Sequence, residues 1–423
     1  MENTYIVDIF DVSYEGAGVG KIDGQIVFVP KCLPGEQVEV QIVKRTNSFL
    51  IGKILRILKE SENRVQAVCP YFSECGGCDF QHCDYETEQK LKKDVLRNEL
   101  KKVGFDGQVD LQKSPSRFSY RNKLKFDVVD GILCYHKVKS KELFEVKICP
   151  IATKEINDAL SKVENLLETN HFKNLKSVYL KQVEKDVAIC FLFSKNEEKV
   201  VKNVKKMQIL SGFSVFFAFG NILESNETKI IKLFGGGLFK TFQGQKIVID
   251  VSAFNQVNDE IASLLYDYVC ENAAGKRVVN AYSGQGFLTF LLSQNAKFVY
   301  GIEYQKSAHE SAEKLSSQLQ SEYKIENICG KVEECLPNVL LRDSIDLIVL
   351  DPAREGCDKK VVEAINDSQI DEILYISCNF ASLVRDLRIL NEKYDVEKVK
   401  IFDMFPCTAN METVAKLRRK TVF

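Results

Sequence analysis

Two short stretches of the chain place reactive side chains where a parallel β-sheet would present them. Asp351-Pro352-Ala353-Arg354-Glu355-Gly356 follows the apolar run Ile345–Leu350, and Ser377-Cys378-Asn379 follows Glu372–Ser377. In open α/β sheets, ligands bind outside the carboxyl ends of the strands, so both stretches lie where chemistry is expected. A proline after Asp351 holds its backbone extended, which frees the carboxylate to point into the crevice instead of capping a helix. Cys378 sits among polar neighbours beside expected helix N-termini, which would lower its pKa and make it a nucleophile. The plainer reading of a free cysteine is a small buried hydrophobe.

A third stretch, Asn280-Ala281-Tyr282-Ser283-Gly284-Gln285-Gly286, ends a buried strand and opens a helix. Its glycines allow a ligand close to the backbone. Glu303, at the end of the next strand, is placed to accept hydrogen bonds from the ribose hydroxyls of an adenosine. A dinucleotide fold would have a third glycine where Thr289 stands, and a phosphate-binding P-loop would have Gly-Lys-Ser/Thr, which is missing. S-adenosylmethionine, with no pyrophosphate to cradle, suits the shorter loop better.

Cysteine supplies the remaining candidate chemistry. The chain has fourteen, and Cys69-x5-Cys75-x2-Cys78 followed far downstream by Cys149-Pro150 is the pattern that suggests ligands. Four thiolates hold an iron–sulfur cluster or a structural zinc. Zinc sites usually come as two Cys-x2-Cys pairs and only one is present, which favours the cluster; Cys83 falls outside the pattern. The polar start Met1-Glu2-Asn3-Thr4 is no secretion signal, so the cytoplasm is the expected compartment and disulfides are not expected.

These groups need a scaffold, and 423 residues suffice for several domains. Residues 1–59 read as an OB-like barrel of short strands: Tyr5–Asp11, Gln25–Pro30, Gln37–Lys44 and Phe49–Leu58, with turns at Gly16-Ala17-Gly18, Asp23-Gly24 and Pro34-Gly35. Residues 60–250 hold the cysteine loop, a charged helix Tyr85–Val103 and an α+β middle domain. That domain includes helices Ile156–Glu168 and Glu197–Ile209 and a hairpin at Gly235-Gly236-Gly237. Residues 251–423 alternate strand and helix strictly, the pattern of a doubly wound, Rossmann-like α/β sheet. No apolar run is long enough to span a membrane. Net charge is −1, so a nucleic-acid surface would have to be local. The segment from Lys113 to Lys147 supplies one, with nine Lys/Arg against four Asp/Glu. Arg117, Arg121, Lys123 and Lys125 alternate as if on one strand face, and the interleaved aromatics can stack on unpaired bases.

The strand-end stretches, together with Met404-Phe405-Pro406-x-Thr408-x3-Glu412 and the lead-in Phe254-Asn255-Gln256-Val257-Asn258, resemble the S-adenosylmethionine-dependent RNA uracil-C5 methyltransferases. The resemblance extends over nearly the whole chain, with residues 1–59 similar to a TRAM domain. It implies Cys378 as nucleophile at uracil C6 and Glu412 as the base that removes the C5 proton. It implies Gln256, Tyr282, Glu303 and Asp351 around the cofactor, and Cys69, Cys75, Cys78 and Cys149 around a [4Fe–4S] cluster. A TRAM domain with a cluster looks more like the ribosomal branch, so 23S rRNA is the expected partner, with tRNA the alternative. A non-catalytic RNA-binding or assembly factor, and methylation at another atom, are the competing functions. Several positions depart from the family pattern: Ala353 replaces a proline, Asn280 and Ser283 replace Asp and Cys, Phe380 replaces a proline, and Cys407 and Asn410 stand where His is frequent.

Overall fold

The computed structural model describes residues 4–194, 207–223, 228–242, 245–319 and 324–421. The chain divides into two units, one of Met1–Ser73, Gly77–Pro115 and Glu260–Phe423, the other of Glu74–Gly76 and Ser116–Asp259.

In the first unit, β1 (Thr4–Asp8), β2 (Asp11–Val12), β3 (Ala17–Ile22), β4 (Gln25–Pro30), β5 (Gln37–Arg45) and β6 (Phe49–Lys59) form one sheet ordered β1-β5-β6-β4-β3-β2. Val7, Val27, Val29, Val38, Val40 and Leu50 fill its core. The sequence reads residues 16–18 as a turn, yet Ala17 and Gly18 open β3. Its glycines serve close packing: a Cβ on Gly20 would meet Val7 Cγ1 at 2.2 Å, and one on Gly18 would meet Cys32 Cβ at 2.8 Å. Helix α1 (Tyr85–Lys101) starts at Asp84, whose carboxylate accepts from the Thr87 amide at 2.8 Å, and β7 (Val109–Gln112) follows.

The second unit holds β8 (Lys123–Val129), β9 (Ile132–His136), β10 (Leu143–Glu145), α2 (Lys154–Thr169), β11 (Leu175–Val183), β12 (Asp186–Phe193), β13 (Ser214–Phe219) and β14 (Lys229–Phe234). Its seven-stranded sheet has the order β10-β9-β8-β11-β12-β13-β14, and β15 (Leu238–Phe242) pairs separately with β16 (Gln245–Ile249). The three glycines at 235–237 therefore join two sheets and make no hairpin. A Cβ on Gly235 would lie 2.5 Å from Ser214 Cα, so the chain passes too close to β13 for any side chain. The helix expected at Glu197–Ile209 falls mostly outside the described residues. Only Lys123 and Lys125 of the basic quartet share a strand face. Arg117 and Arg121 precede β8 in a loop that turns at Ser119 (φ 55°), so their alternation in sequence does not carry into space.

The first unit resumes with α3 (Asp259–Asn272), whose first residue still counts with the second unit. Then come β17 (Arg277–Ala281), α4 (Phe287–Ser293), β18 (Phe298–Glu303), α5 (Lys306–Gln318), β19 (Ile325–Cys329), α6 (Val332–Arg342), β20 (Leu347–Leu350), α7 (Lys359–Asp367), β21 (Glu372–Ser377), α8 (Phe380–Leu390), β22 (Tyr394–Phe402) and β23 (Glu412–Arg419). The sheet order is β19-β18-β17-β20-β21-β23-β22-β7. Strands β17 to β21 are parallel; β17, β18, β20 and β21 have the largely apolar, buried sequences such a sheet requires, while β19 lies at its edge, and β23 runs antiparallel to β21. The chain winds from β17 outward to β19, then returns to β20 on the other side of β17. This reversal leaves a crevice above β17 and β20, the position where such sheets bind ligands. No helix among the described residues is long and apolar enough to cross a membrane.

Candidate active site

The cofactor loop leaves β17 at the reversal. Tyr282 takes a left-handed backbone (φ 62°), rare for a residue with a side chain and typical of functional turns. Gly286 is left-handed too, and a Cβ there would meet Ala312 Cβ at 2.6 Å, so the start of α4 can rest on α5 only with glycine. Glu303, at the end of β18, accepts from the Gly284 amide at 2.9 Å and the Gln305 amide at 2.6 Å. These two bonds fix a carboxylate that still has lone pairs for two ribose hydroxyls. A Cβ on Gly284 would meet nothing within 4 Å, so space lies above the loop. Thr289, in place of a third glycine, is accommodated by the opposite strand: Gly301 lies beneath its hydroxyl, which also accepts from Asn280 Nδ2 at 2.9 Å. Anchored carboxylate, open loop and reversal point together fit an adenosine-bearing cofactor without pyrophosphate.

Across the reversal, Asp351 leaves β20. Burial pushes its carboxyl up to about 7. Glu412 begins β23 directly beside the end of β21, where Ser377 faces Thr413, and it is 3% exposed. Its carboxyl lies well above the ordinary range, raised by burial first and by the Asp351 charge second, with Arg354 opposing. Cys378 follows β21. Its thiol is raised by burial, then by Glu412 and Asp351, while Arg354 lowers it. The sequence-based expectation of a lowered thiol pKa is thus reversed, because desolvation and two neighbouring carboxylates outweigh the helix ends.

Asp351, Cys378 and Glu412 thereby form one electrostatic group, and Arg354 is its cation. In the sequence Arg354 stands out only as part of the Asp351–Gly356 motif, and its spacing of three from Asp351 is the local signal of its place here. Asn379 ties the two loops together. It caps α8 by accepting from the Ala381 amide at 3.1 Å and donates to the Arg354 carbonyl at 2.9 Å, where Ser382 Oγ also donates at 3.1 Å. Below them, Asp386 accepts from the Cys357 amide at 2.9 Å and from the Tyr375 hydroxyl at 2.6 Å, bracing the Asp351 loop from underneath. A cavity of about 590 Å³ opens on the Tyr282 side of that loop, walled by Cys357, Lys359 and Arg385; Glu303, Cys378 and Glu412 do not line it.

Gln256 lies in the second unit. Its carbonyl accepts from Asn122 Nδ2 at 3.0 Å, and Asn122 also donates to Asp259 at 2.9 Å. The four candidate metal ligands are divided: Cys69 and Cys78 belong to the first unit, Cys75 and Cys149 to the second. Gln81 joins the first pair, accepting from the Cys69 amide at 3.0 Å and donating to Cys78 Sγ at 3.3 Å. Among the described residues, no group of three or more Cys, His, Asp or Glu side chains is arranged to hold a metal ion. No chemical step is assigned to a cluster at these four thiols.

Comparison with known proteins agrees with this geometry. Residues 84–420 match the family model described as tRNA (uracil-5-)-methyltransferase, and residues 3–55 match the TRAM domain. A Halalkalibacterium halodurans protein described as an uncharacterized RNA methyltransferase is 30% identical, covering 98% of this chain and 96% of its own length. A Clostridium acetobutylicum protein of the same description is 31% identical, covering 99% and 97%. Among solved structures, the Pyrococcus abyssi tRNA (uracil-54, C5)-methyltransferase in complex with S-adenosyl-L-homocysteine shares the fold. Its TM-score is 0.76 at 21% identity, over 98% of this chain and 100% of that one. With a family model spanning most of its length and a sheet that places reactive groups at the expected reversal, the chain belongs to the tRNA (uracil-5-)-methyltransferase family of S-adenosylmethionine-dependent RNA methyltransferases and carries an N-terminal TRAM domain.

Proposed function

We propose that the protein methylates C5 of a uridine in structured RNA, 23S rRNA in particular, through a covalent bond between Cys378 and C6. The observation that carries this reading is the desolvated group of Cys378, Glu412 and Asp351 beside Arg354 at the mouth of the sheet. Uracil C5 is too weak a nucleophile to take a methyl group unaided. Cys378 loses its proton to solvent and its Sγ adds at C6, moving the C5=C6 electron pair toward C5 and the C4 oxygen. S-adenosylmethionine supplies an electrophilic methyl on a positively charged sulfur. Once C5 carries the methyl, Glu412 takes the C5 proton; the freed pair re-forms C5=C6, the C6–Sγ bond breaks and the thiolate returns. A positive charge held beside Asp351 favours the ionised forms of all three acids. The burial that keeps the thiol protonated at rest thus reserves its reactivity for the loaded site.

Glu303 and Tyr282 are assigned to the cofactor's adenosine side and Asp351 to its reacting end, with Gln256 as a further contact. Residues 1–59 serve as the RNA-binding barrel, 60–250 as a middle domain offering Lys123 and Lys125 to phosphates, and 251–423 as the catalytic domain. A target uracil must leave its stack to reach Cys378. The spacing of Cys69, Cys75, Cys78 and Cys149 supports a [4Fe–4S] cluster, and the resemblance of a TRAM domain with a cluster to the ribosomal branch supports a ribosomal substrate; iron and acid-labile sulfide in anaerobically purified protein test the first. The tRNA alternative is favoured by the family description and by the solved relative's substrate. The cytoplasm follows as the compartment where such RNA is found. RNA containing 5-fluorouridine tests the mechanism, since fluorine at C5 cannot leave as a proton. A detergent-stable protein–RNA complex is expected for the wild type and none for Cys378→Ala; methylation by Cys378→Ala overturns the reading. Mapping 5-methyluridine in ribosomal and transfer RNA from a deletion strain decides between the substrates.

A further inference from the structure

The nine residues between β22 and β23, Asp403 to Met411, deliver Glu412 to the site, and this loop is held from below by groups outside the reacting set. Lys92 of α1 is 1% exposed and spends its three N–H donors there. It donates to Asp403 Oδ1 at 2.7 Å, to Glu88 Oε1 at 2.9 Å and to the Phe405 carbonyl at 3.1 Å. Tyr85 donates its hydroxyl to the other Asp403 oxygen at 2.6 Å. Cys407 is left-handed (φ 68°), a conformation that costs a residue with a side chain and persists only when its surroundings impose it. Here its amide donates to Glu88 Oε1 at 2.7 Å, and its carbonyl accepts from the amides of Asp79 and Phe80, both at 2.9 Å. Asp79 also accepts the Ala409 amide at 2.9 Å. The barrel backs this contact: a Cβ on Gly16 would lie 2.8 Å from Asp79 Cβ and 3.0 Å from Ala409 Cβ.

We propose that Lys92 and Asp79 are positioning residues for Glu412, clamping the 403–411 loop so that the carboxylate meets the C5 proton. Through Asp79 the cysteine loop acquires a role in catalysis that needs no electron transfer. The inference rests on Glu412 being the base. It makes a specific prediction, because the base acts only after the thiol has added and the methyl has moved. Displacing it must leave those steps running and stall the release.

The test uses full-length protein, S-adenosylmethionine labelled in the methyl group, and RNA extracted from a strain lacking this gene. Wild type should leave label almost entirely in free RNA. Asp79→Ala and Lys92→Met should raise the ratio of detergent-stable, protein-bound label to free label by about tenfold or more, with the single-turnover rate of first methyl transfer within about threefold of wild type. Asp79→Asn, which keeps an acceptor for the Ala409 amide, should behave as wild type. Asp79→Ala covers the case in which Lys92→Met does not fold. Glu412→Gln is the benchmark. If it traps label and the folded Asp79→Ala protein turns over like wild type, or loses addition and release in parallel, the positioning role is overturned while Glu412 stands. If Glu412→Gln traps nothing, the base assignment falls and this inference with it.

Discussion

Glu88 and Glu412 are both buried carboxylates in the same unit, at 0% and 3% exposure, and they are treated in opposite ways. Glu88 meets Lys92 at 2.9 Å, and Asp403 meets the same ammonium at 2.7 Å, so a charged set is buried complete with its hydrogen bonds. Burial by itself would lower the Lys92 pKa, but the two carboxylates overcome it and hold the ammonium above its usual value. Glu412 and Asp351 have no ion-pair partner within 4 Å among the described residues, and Arg354 opposes Glu412's charge only from a distance. The lesson is that this unit buries charge for two purposes. Paired charge fixes where a loop goes, because breaking it is expensive. Unpaired charge stores proton affinity for a substrate or cofactor to draw on, which is how active sites come to hold perturbed acids.

The largest effects are expected at the unpaired end. Cys378→Ala should abolish methyl transfer, by about a thousandfold or more, and abolish covalent capture of 5-fluorouridine RNA with it. Glu412→Gln should lose turnover to a similar degree yet retain capture, because addition at C6 does not need the base. Steady-state labelling and a denaturing gel distinguish the two. Equal loss of capture in both variants would show that the thiol and the carboxylate do not act in sequence.

At the paired end the readout is stability. Lys92→Met leaves Glu88 and Asp403 buried without a cation and should cost about 3–5 kcal/mol in denaturant unfolding. Combining it with Glu88→Gln and Asp403→Asn, which keep acceptors for the Cys407 amide and the Tyr85 hydroxyl, should recover most of that loss. If the triple variant is no more stable than the single one, the anchor acts through shape and not through charge balance.

The two regions also differ in how far the sequence reveals them. Asp351, Cys378 and Glu303 are legible because a parallel sheet exposes the residues at its strand ends, and apolar runs mark where those strands stop. The doubly wound sheet is legible for the same reason, although β7, β19, β22 and β23 escape. β7 is only four residues long, and β22 and β23 carry alternating charge at their ends. Glu412 is recognisable only from the motif around it, since a glutamate opening a strand resembles any surface carboxylate. The anchor is illegible. Glu88 and Lys92, spaced i and i+4 on a charged helix, look like a solvated pair, and what buries them is Asp403, 311 residues away. The raised thiol of Cys378 is missed because burial and neighbouring charge, which decide its sign, are absent from a local reading. The basic quartet fails at Ser119, whose left-handed turn takes Arg117 off the strand.

The smallest effect has the most informative sign. The Asp351 carboxyl is raised by burial from 3.8 to about 7, so between those values the native chain holds a proton that the unfolded chain has released. Stability then falls as pH rises through this window. The contribution is fully favourable below about pH 4 and lost above about pH 7. Asp351→Asn removes the titration, and it also removes the charge that raises Glu412. The variant should therefore be more stable than wild type at pH 8, by roughly 1–3 kcal/mol, with the difference vanishing near pH 4. Affinity for S-adenosylmethionine should fall at the same time, since a neutral amide lacks the negative charge that attracts a sulfonium. Denaturant unfolding at the two pH values, with calorimetric titration of the cofactor, checks both halves. A variant less stable at pH 8 would mean that Asp351 is paired in solution, erasing the contrast with Glu88 on which the assignment of stored charge depends.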